Sequence, residues 1–313
     1  PIATREAGGK TLNALARRVK TLVGGSADLS PSTKTLLVGQ GDLGLEESGG
    51  RNIHFGVREH AMGAMLNGMA LHGGTIPYGS TFMVFSDYMR PSLRLAALMQ
   101  IHTIFVFTHD SIAVGEDGPT HQPVEHIQSL RLIPGLTVLR PADANETVAA
   151  WRIAITQKRP FALALTRQKL PVLDADRLSI ADGVSRGGYI LSEAEGCECK
   201  IILIGTGSEV HQTLDAQKIL AKEGICSRVV SMPSVELFRE QPDDYRQEGL
   251  PPEVPKLVVE AGVPEGWRET VGDKSDVVGI SRFGASAPAK IILEKLGFTG
   301  KLISQRARRL IKQ

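Results

Sequence analysis

Short apolar runs alternate with helix-spaced apolar positions along most of the chain. Residues 101–107 (IHTIFVF), 136–139, 161–165, 200–204, 227–231 and 256–260 read as strands, and 22–24, 53–55 and 75–78 as shorter ones. Helical spacing runs through 5–19, with Leu12, Leu15 and Val19 on one face, and through 58–72, with Met62, Met65, Leu66 and Met69. It returns at 82–99, where Pro91 marks a kink or break, and at 145–156, 208–223 and 287–296. Buried strands separated by amphipathic helices predict right-handed crossovers and a mostly parallel sheet covered on both faces. The rhythm lapses over 168–198, which is polar and turn-rich. The expected fold is therefore α/β, with two doubly wound, mostly parallel-sheet domains over 1–170 and 199–313 and a linker over 171–198.

The segment 108–125, THDSIAVGEDGPTHQPVE, follows a strand and holds histidines and acids with little to build a core. The C-terminal edge of a parallel sheet is where open α/β folds place their chemistry. Gly115, Gly118 and the Asp117-Gly118-Pro119 turn give the loop a defined path. It can aim His109, Asp117 and His121 into one cleft. Their spacing lacks the short helical interval of a zinc motif, and His126 falls in the following helix, so proton handling and substrate hydrogen bonding are favoured over metal. Glu59, in GVREH, opens a helix and alone would be a solvated capping residue. Phe82, Phe85 and Tyr88 recur at i, i+3, i+6 on one expected helix face, a core stripe or one wall of a pocket for a flat ring. Arg5, Ser32 and Arg167 sit at element edges beside loops, where guanidinium groups suit a phosphate. Gly205-Thr206-Gly207-Ser208 has the form of a dinucleotide loop, but Val210 stands where the third glycine belongs, so a tight strand-to-helix turn is the better reading.

Composition narrows the field. The 313 residues allow two cores, and hydrophobic and charged fractions of 42% and 22% are ordinary for a globular protein. Lys and Arg number 36 against 34 Asp and Glu, which gives no support for nucleic acid or a membrane as the main partner. No apolar run approaches the length of a membrane span, and PIATREAGGK lacks the order of a signal peptide. The cysteines, Cys197, Cys199 and Cys226, form an odd, sparse set that fits a reducing, cytoplasmic setting. They read as surface or core residues rather than metal ligands.

IATR, GGSADLSPS, HFGVREHAMGA, the STF–F–Y strip, GEDGPTHQPVE, LTVLRPAD, LTRQ, VVEAG, GWRE and GISRFGASAPA, in this order, resemble bacterial and yeast-type transketolase. GEDGPTHQPVE separates this family from the pyruvate dehydrogenase β chain and deoxyxylulose phosphate synthase; dihydroxyacetone synthase is closer. The resemblance implies roles. Glu59 is the acid that hydrogen-bonds the aminopyrimidine of thiamine diphosphate. Phe85 stacks on that ring, with Phe82 and Tyr88 completing its pocket, and Asp28 supports the cofactor region across a subunit contact. His121 assists proton transfer on the ketose, Asp117 reads its C2 hydroxyl, and His109, Arg5, Ser32 and Arg167 clamp the sugar phosphate. It also implies a homodimer, and a diphosphate-binding half that carries Mg²⁺. That half's GDG…N signature is not found here, so the chain is expected to be one part of a split or truncated enzyme, inactive or weakly active alone, or a stable non-catalytic dimeric fragment. The second domain offers no residue expected in catalysis.

Overall fold

The computed structural model describes residues 1–44, 49–174, 177–194 and 196–312. The first domain runs β1 (Ile2–Ala3), α1 (Thr4–Ala16), β2 (Leu22–Ser26), α2 (Ser30–Thr33), β3 (Asn52–His54), α3 (Glu59–His72), β4 (Ile76–Phe82), α4 (Ser86–Leu98), β5 (Ile104–Thr108), α5 (His126–Arg131), β6 (Thr137–Leu139), α6 (Ala144–Thr156), β7 (Phe161–Leu165) and β8 (Lys169–Leu170). Six strands form one wholly parallel sheet in the order β3-β2-β4-β5-β7-β6. Its central strands are apolar and buried throughout, as in Ile104–Thr108 and Phe161–Leu165, because helices cover both faces. Trp151, Leu12 and Phe161 pack on one face, and Leu66, Leu93 and Phe105 on the other.

α7 (Arg177–Ser185) follows and packs Ile180 and Val184 into the core of the first domain beside Trp151. The second domain then runs β9 (Tyr189–Ser192), β10 (Ile201–Gly205), α8 (Glu209–Lys222), β11 (Ser227–Ser231), α9 (Val235–Arg239), α10 (Asp243–Gly249), β12 (Lys256–Val259), α11 (Arg268–Val271), β13 (Ser275–Val278), α12 (Ala289–Lys295) and α13 (Gly300–Ile311). Its sheet, in the order β13-β12-β10-β11-β9, is parallel except for the antiparallel edge strand β9. Two α/β domains are thus present.

Several local expectations change. The stretch over 168–198 carries β8, α7 and β9 rather than irregular chain, and positions 175, 176 and 195 of the expected linker lie outside the described residues. β8 pairs antiparallel with β1, and β9 is an edge of the second sheet. The helix expected over 82–99 divides: Phe82 ends β4, a 3₁₀ turn spans Met83–Phe85, and α4 starts at Ser86, with Pro91 accommodated inside it. The last helix is α13, which buries Ile303 and Ala307 against α8 residues Ala216 and Leu220. Cys197 and Cys226, expected as separate thiols in a reducing setting, are joined in a disulfide with Cα atoms 6.2 Å apart. Cys199 is a half-buried thiol whose Sγ donates to the Ile201 carbonyl, so Cys197 and Cys199 do not form a ligand pair.

Candidate active site

Parallel-sheet topology fixes where the site falls. The chain runs from β2 outward to β3, then returns to β4 on the other side of β2, so the strand order reverses between β2 and β4. A crevice opens beyond the carboxyl ends of strands at such a switch point. Asp28 follows β2, Phe82 ends β4, and His109 follows β5. Asp28 and His109 adopt the left-handed region, with φ of 60° and 62°, a strained choice for residues with a β-carbon and one that clusters at functional sites.

His109 is the hub. Its ring lies 3.8 Å, centroid to centroid, from Phe82. Its Nε2 is 3.3 Å from Arg5 Nη1 and its Nδ1 is 2.8 Å from Thr108 Oγ1. A guanidinium only donates, so Nε2 accepts and the proton of the neutral ring sits on Nδ1, donated to Thr108. Burial, then the charges of Arg5 and Arg167 and the proximity of His121, push the His109 pKa down to about 3, so the ring is neutral near pH 7.

Arg5 also donates to the Ser32 carbonyl at 2.9 Å. Arg167 is exposed, and its charge acts on both Arg5 and His109. Burial and Arg167 together lower the Arg5 pKa. Arg5 Nε is buried and lacks an acceptor, and neither arginine pairs with an acid among the described residues. Two like charges facing one cleft with an orphaned donor are the donor set of an anion site.

Sequence reasoning missed what brings these arginines together. Thr4 and Thr166 precede them and interlock: Thr4 N–H donates to Thr166 Oγ1 at 3.0 Å, Thr166 N–H donates to Thr4 Oγ1 at 2.7 Å, and the hydroxyls are 3.1 Å apart. Both threonines are fully buried. The signal was present as two Thr-Arg dipeptides, at 4–5 and 166–167.

The aromatic residues do meet, although not on a helix face. Phe82 and Phe85 stack with planes 9° apart and centroids at 5.8 Å, and Tyr88 continues the strip 6.0 Å beyond Phe85. A 3₁₀ turn has about three residues per turn, so i and i+3 align there as they nearly do on a helix. His121 stands edge-on to Phe82 and Phe85 at 6.4 and 5.8 Å, and its Nδ1 is 2.9 Å from Thr120 Oγ1. Glu59 begins α3 at the same end of the sheet, 8% exposed and without a hydrogen-bond or ion-pair partner among the described residues. Asp117 is exposed in its turn and makes no hydrogen bond or ion pair with the others, and Asp28 is likewise exposed.

The loop itself is propped by the second domain. Gln122, almost fully buried, donates from Nε2 to the Gly115 and Ala285 carbonyls at 2.7 and 2.9 Å. Ser286 Oγ donates to the Glu116 carbonyl at 2.5 Å. A β-carbon at Gly284 would lie 1.8 Å from Gln122 Oε1, so a larger residue there would displace the Gln122 amide. GASAPA thus packs against the site loop. The nearest approach to a metal cluster among the described residues, Asp87, Glu125 and His126, has exposed acids and lies apart from His109 and His121 in hydrogen bonding.

The arrangement can hold an anion against Arg5 and Arg167, lay a flat ring on the Phe82–Phe85 strip, and offer Glu59 and two histidines for hydrogen bonding. Residues 1–172 match the family description "Transketolase, pyrimidine binding domain" and 187–299 match "Transketolase-like TK C-terminal domain". A transketolase of Halalkalibacterium halodurans is 53% identical over 99% of this chain and 47% of its own length. The solved transketolase from Leishmania mexicana superposes with a TM-score of 0.94 at 44% identity, over 99% of this chain and 46% of that one. A chain described as "Split gene transketolase, inactive beta4 tetramer" superposes with a TM-score of 0.81 at 25% identity and is covered over 99% of its length. The chain spans about half the length of the curated relatives it matches.

Proposed function

The chain belongs to the transketolase family, and on that premise we propose that its first domain forms the pyrimidine-facing and sugar-facing wall of a ketol-transfer site. The complete assembly would move a two-carbon unit from a ketose phosphate to an aldose phosphate. The observation that carries this reading is the junction of two half-sites through one ring: Arg5, with the charge of Arg167 nearby, on His109, and His109 on Phe82 of the Phe82–Phe85 strip.

Thiamine diphosphate, when bound, supplies the nucleophilic carbon that takes up and releases the ketol unit. The residues present suit its pyrimidine end. Buried, unpartnered Glu59 offers the carboxylate that such a ring nitrogen needs, and Phe82, Phe85 and Tyr88 offer an apolar wall. His121, beside that wall, holds and moves a proton at the substrate's hydroxyl groups. His109, neutral, hydrogen-bonds the sugar and leaves Arg5 and Arg167 to bind its phosphate, with Ser32 alongside. Asp117 reads the C2 hydroxyl, and Asp28 supports the cofactor region at a subunit contact. The diphosphate and its Mg²⁺ fall to a partner half, whether a separate polypeptide or further sequence joined to this one. Assembly around a homodimer in the cytoplasm completes the proposal. The description of the split-gene neighbour as an inactive tetramer supports low activity for this chain alone.

Reconstitution tests the proposal. This chain, a diphosphate-binding half, thiamine diphosphate and Mg²⁺ are mixed and assayed for ketol transfer between sugar phosphates. Transfer should appear only in the complete mixture, and full turnover by this chain alone would overturn the need for a partner. Glu59→Gln should lower turnover of the mixture at least ~10²-fold with the fold unchanged by circular dichroism. A near-wild-type rate would remove Glu59 from its role. Acceptor profiling separates the dihydroxyacetone synthase alternative, which takes formaldehyde; the arginine pair favours a phosphorylated acceptor.

A further inference from the structure

The second sheet has its own switch point. The chain passes from β10 to β11 on one side and to β12 on the other. The crevice beyond the carboxyl ends of β10 and β12 is where an open α/β domain takes a ligand, and Gly205-Thr206-Gly207-Ser208 lines it. Here the crevice is filled by a side chain of the first domain. Arg140, after β6 and fully buried, donates from Nη1 to the Thr206 carbonyl at 3.0 Å and to Glu209 at the start of α8. Glu260, after β12, lies 3.9 Å from the same nitrogen and is itself held by Arg131 Nη1 at 2.8 Å and Trp267 Nε1 at 2.7 Å. The Arg140 backbone joins in: its N–H donates to the Pro233 carbonyl at 2.8 Å and its carbonyl accepts from Gly207 N–H at 3.1 Å.

The other edge of the guanidinium faces back into the first domain. Arg140 Nε donates to Asp110 Oδ2 at 2.9 Å, and Asp110 is the residue after left-handed His109. Burial opposes the charge on Arg140, but Glu209, Asp110 and Glu260 outweigh it and hold its pKa above the ordinary value. The guanidinium is therefore a fixed cation with planar donors in two directions. Gly207, at φ 57°, is shaped to it: a β-carbon there would lie 2.8 Å from Arg140 Nε.

We propose that Arg140 is a positioning residue, seated in the ligand crevice of the second domain, which through Asp110 fixes the backbone of His109 and so the orientation of the sugar-phosphate site. This rests on the reading of His109 given above only for what the orientation is used for. The Gly205–Ser208 turn, which resembles a phosphate loop, serves as a socket for an arginine. The second domain thereby contributes to the site without a side chain in it.

The experiment reads His109 directly in the purified chain, without turnover, so the ketol-transfer proposal can fail independently. Imidazole ¹⁵N shifts are followed against pH in wild type, Arg140→Lys and Gly207→Ala. Arg140→Lys keeps the charge and loses the planar fork, and Gly207→Ala displaces the fork from the second domain without touching His109. In wild type His109 should show a protonated Nδ1, an acceptor Nε2 and no titration above pH 5. In each variant that keeps its circular dichroism spectrum, His109 should become a tautomer mixture and titrate at least one pH unit higher. His121, which is bonded to Thr120 and not to Asp110, should keep its shifts. If Arg140→Lys fails to fold, Gly207→Ala decides. Folded variants with wild-type His109 shifts would overturn the proposal, as would equal changes at His109 and His121, which mark a general loosening.

Discussion

His109 shows how much one residue can be asked to do. It is buried, left-handed, neutral and pinned at both ring nitrogens. Its pKa of about 3 lies below the ordinary value of 6.5, so between these values the unfolded chain binds a proton that the native chain does not. Stability from this residue is therefore complete above pH ~6.5 and is lost as pH falls toward ~3, with a slope of at most ~1.4 kcal/mol per pH unit. Urea titrations of wild type and His109→Asn across pH 7 to 4 should show a shallower loss in the variant. An unchanged slope would mean that His109 is protonated in the fold. Its place in the cleft was legible in the sequence, since a histidine directly after a buried strand can only lie at the sheet edge. Its tautomer was not, because that depends on Arg5, 104 residues away.

Among the elements, those carried by strong periodicity were legible, as with Phe161–Leu165, Ser227–Ser231 and the helix ending at Thr156. The failures have physical causes. A three-residue aromatic spacing fits a 3₁₀ turn as well as a helix, so the junction of β4 and α4 was hidden although the ring strip was foreseen. β8 and β9 are short, lie within a polar, turn-rich stretch, and pair with β1 and β11, partners remote in sequence. The Thr4–Thr166 clasp beside the β1–β8 pair is the element on which the anion site depends. Thr166→Val keeps the shape but strips the acceptor from the buried Thr4 N–H, at a cost of ~1–3 kcal/mol. In the reconstituted assembly it should raise KM for the sugar phosphate several-fold with kcat nearly unchanged, because it loosens binding and leaves proton-transfer groups in place. Steady-state kinetics with phosphorylated and unphosphorylated donors checks this, and the unphosphorylated donor should be indifferent.

At the scale of the molecule, the two domains and their mostly parallel sheets were legible, and the covalent link was not. Cys226 directly precedes β11 and Cys197 lies in the bend ahead of its neighbour β10, and the chain brings their Cα atoms to 6.2 Å across 29 residues of sequence. Spacing alone cannot show that. A cross-link over a loop of this size is worth ~3 kcal/mol in the chain-entropy account. Cys226→Ser should lower the stability of the second domain by about that amount in guanidinium titrations. A smaller change of ~1 kcal/mol or less would show that the unfolded chain is already constrained there.

The pairing of β1 with β8 also sets an order in time. Thr4 and Arg5 leave the ribosome 162 residues ahead of the clasp partner Thr166 and of Arg167. During synthesis at ~5–20 residues per second, Thr4 waits ~8–30 s for this partner. The pairing is among the most sequence-distant in the first domain, and such contacts form late because loop closure precedes any gain from them. The nascent first domain can thus assemble its ring strip before its two arginines meet, which waits for β8 to pair with β1.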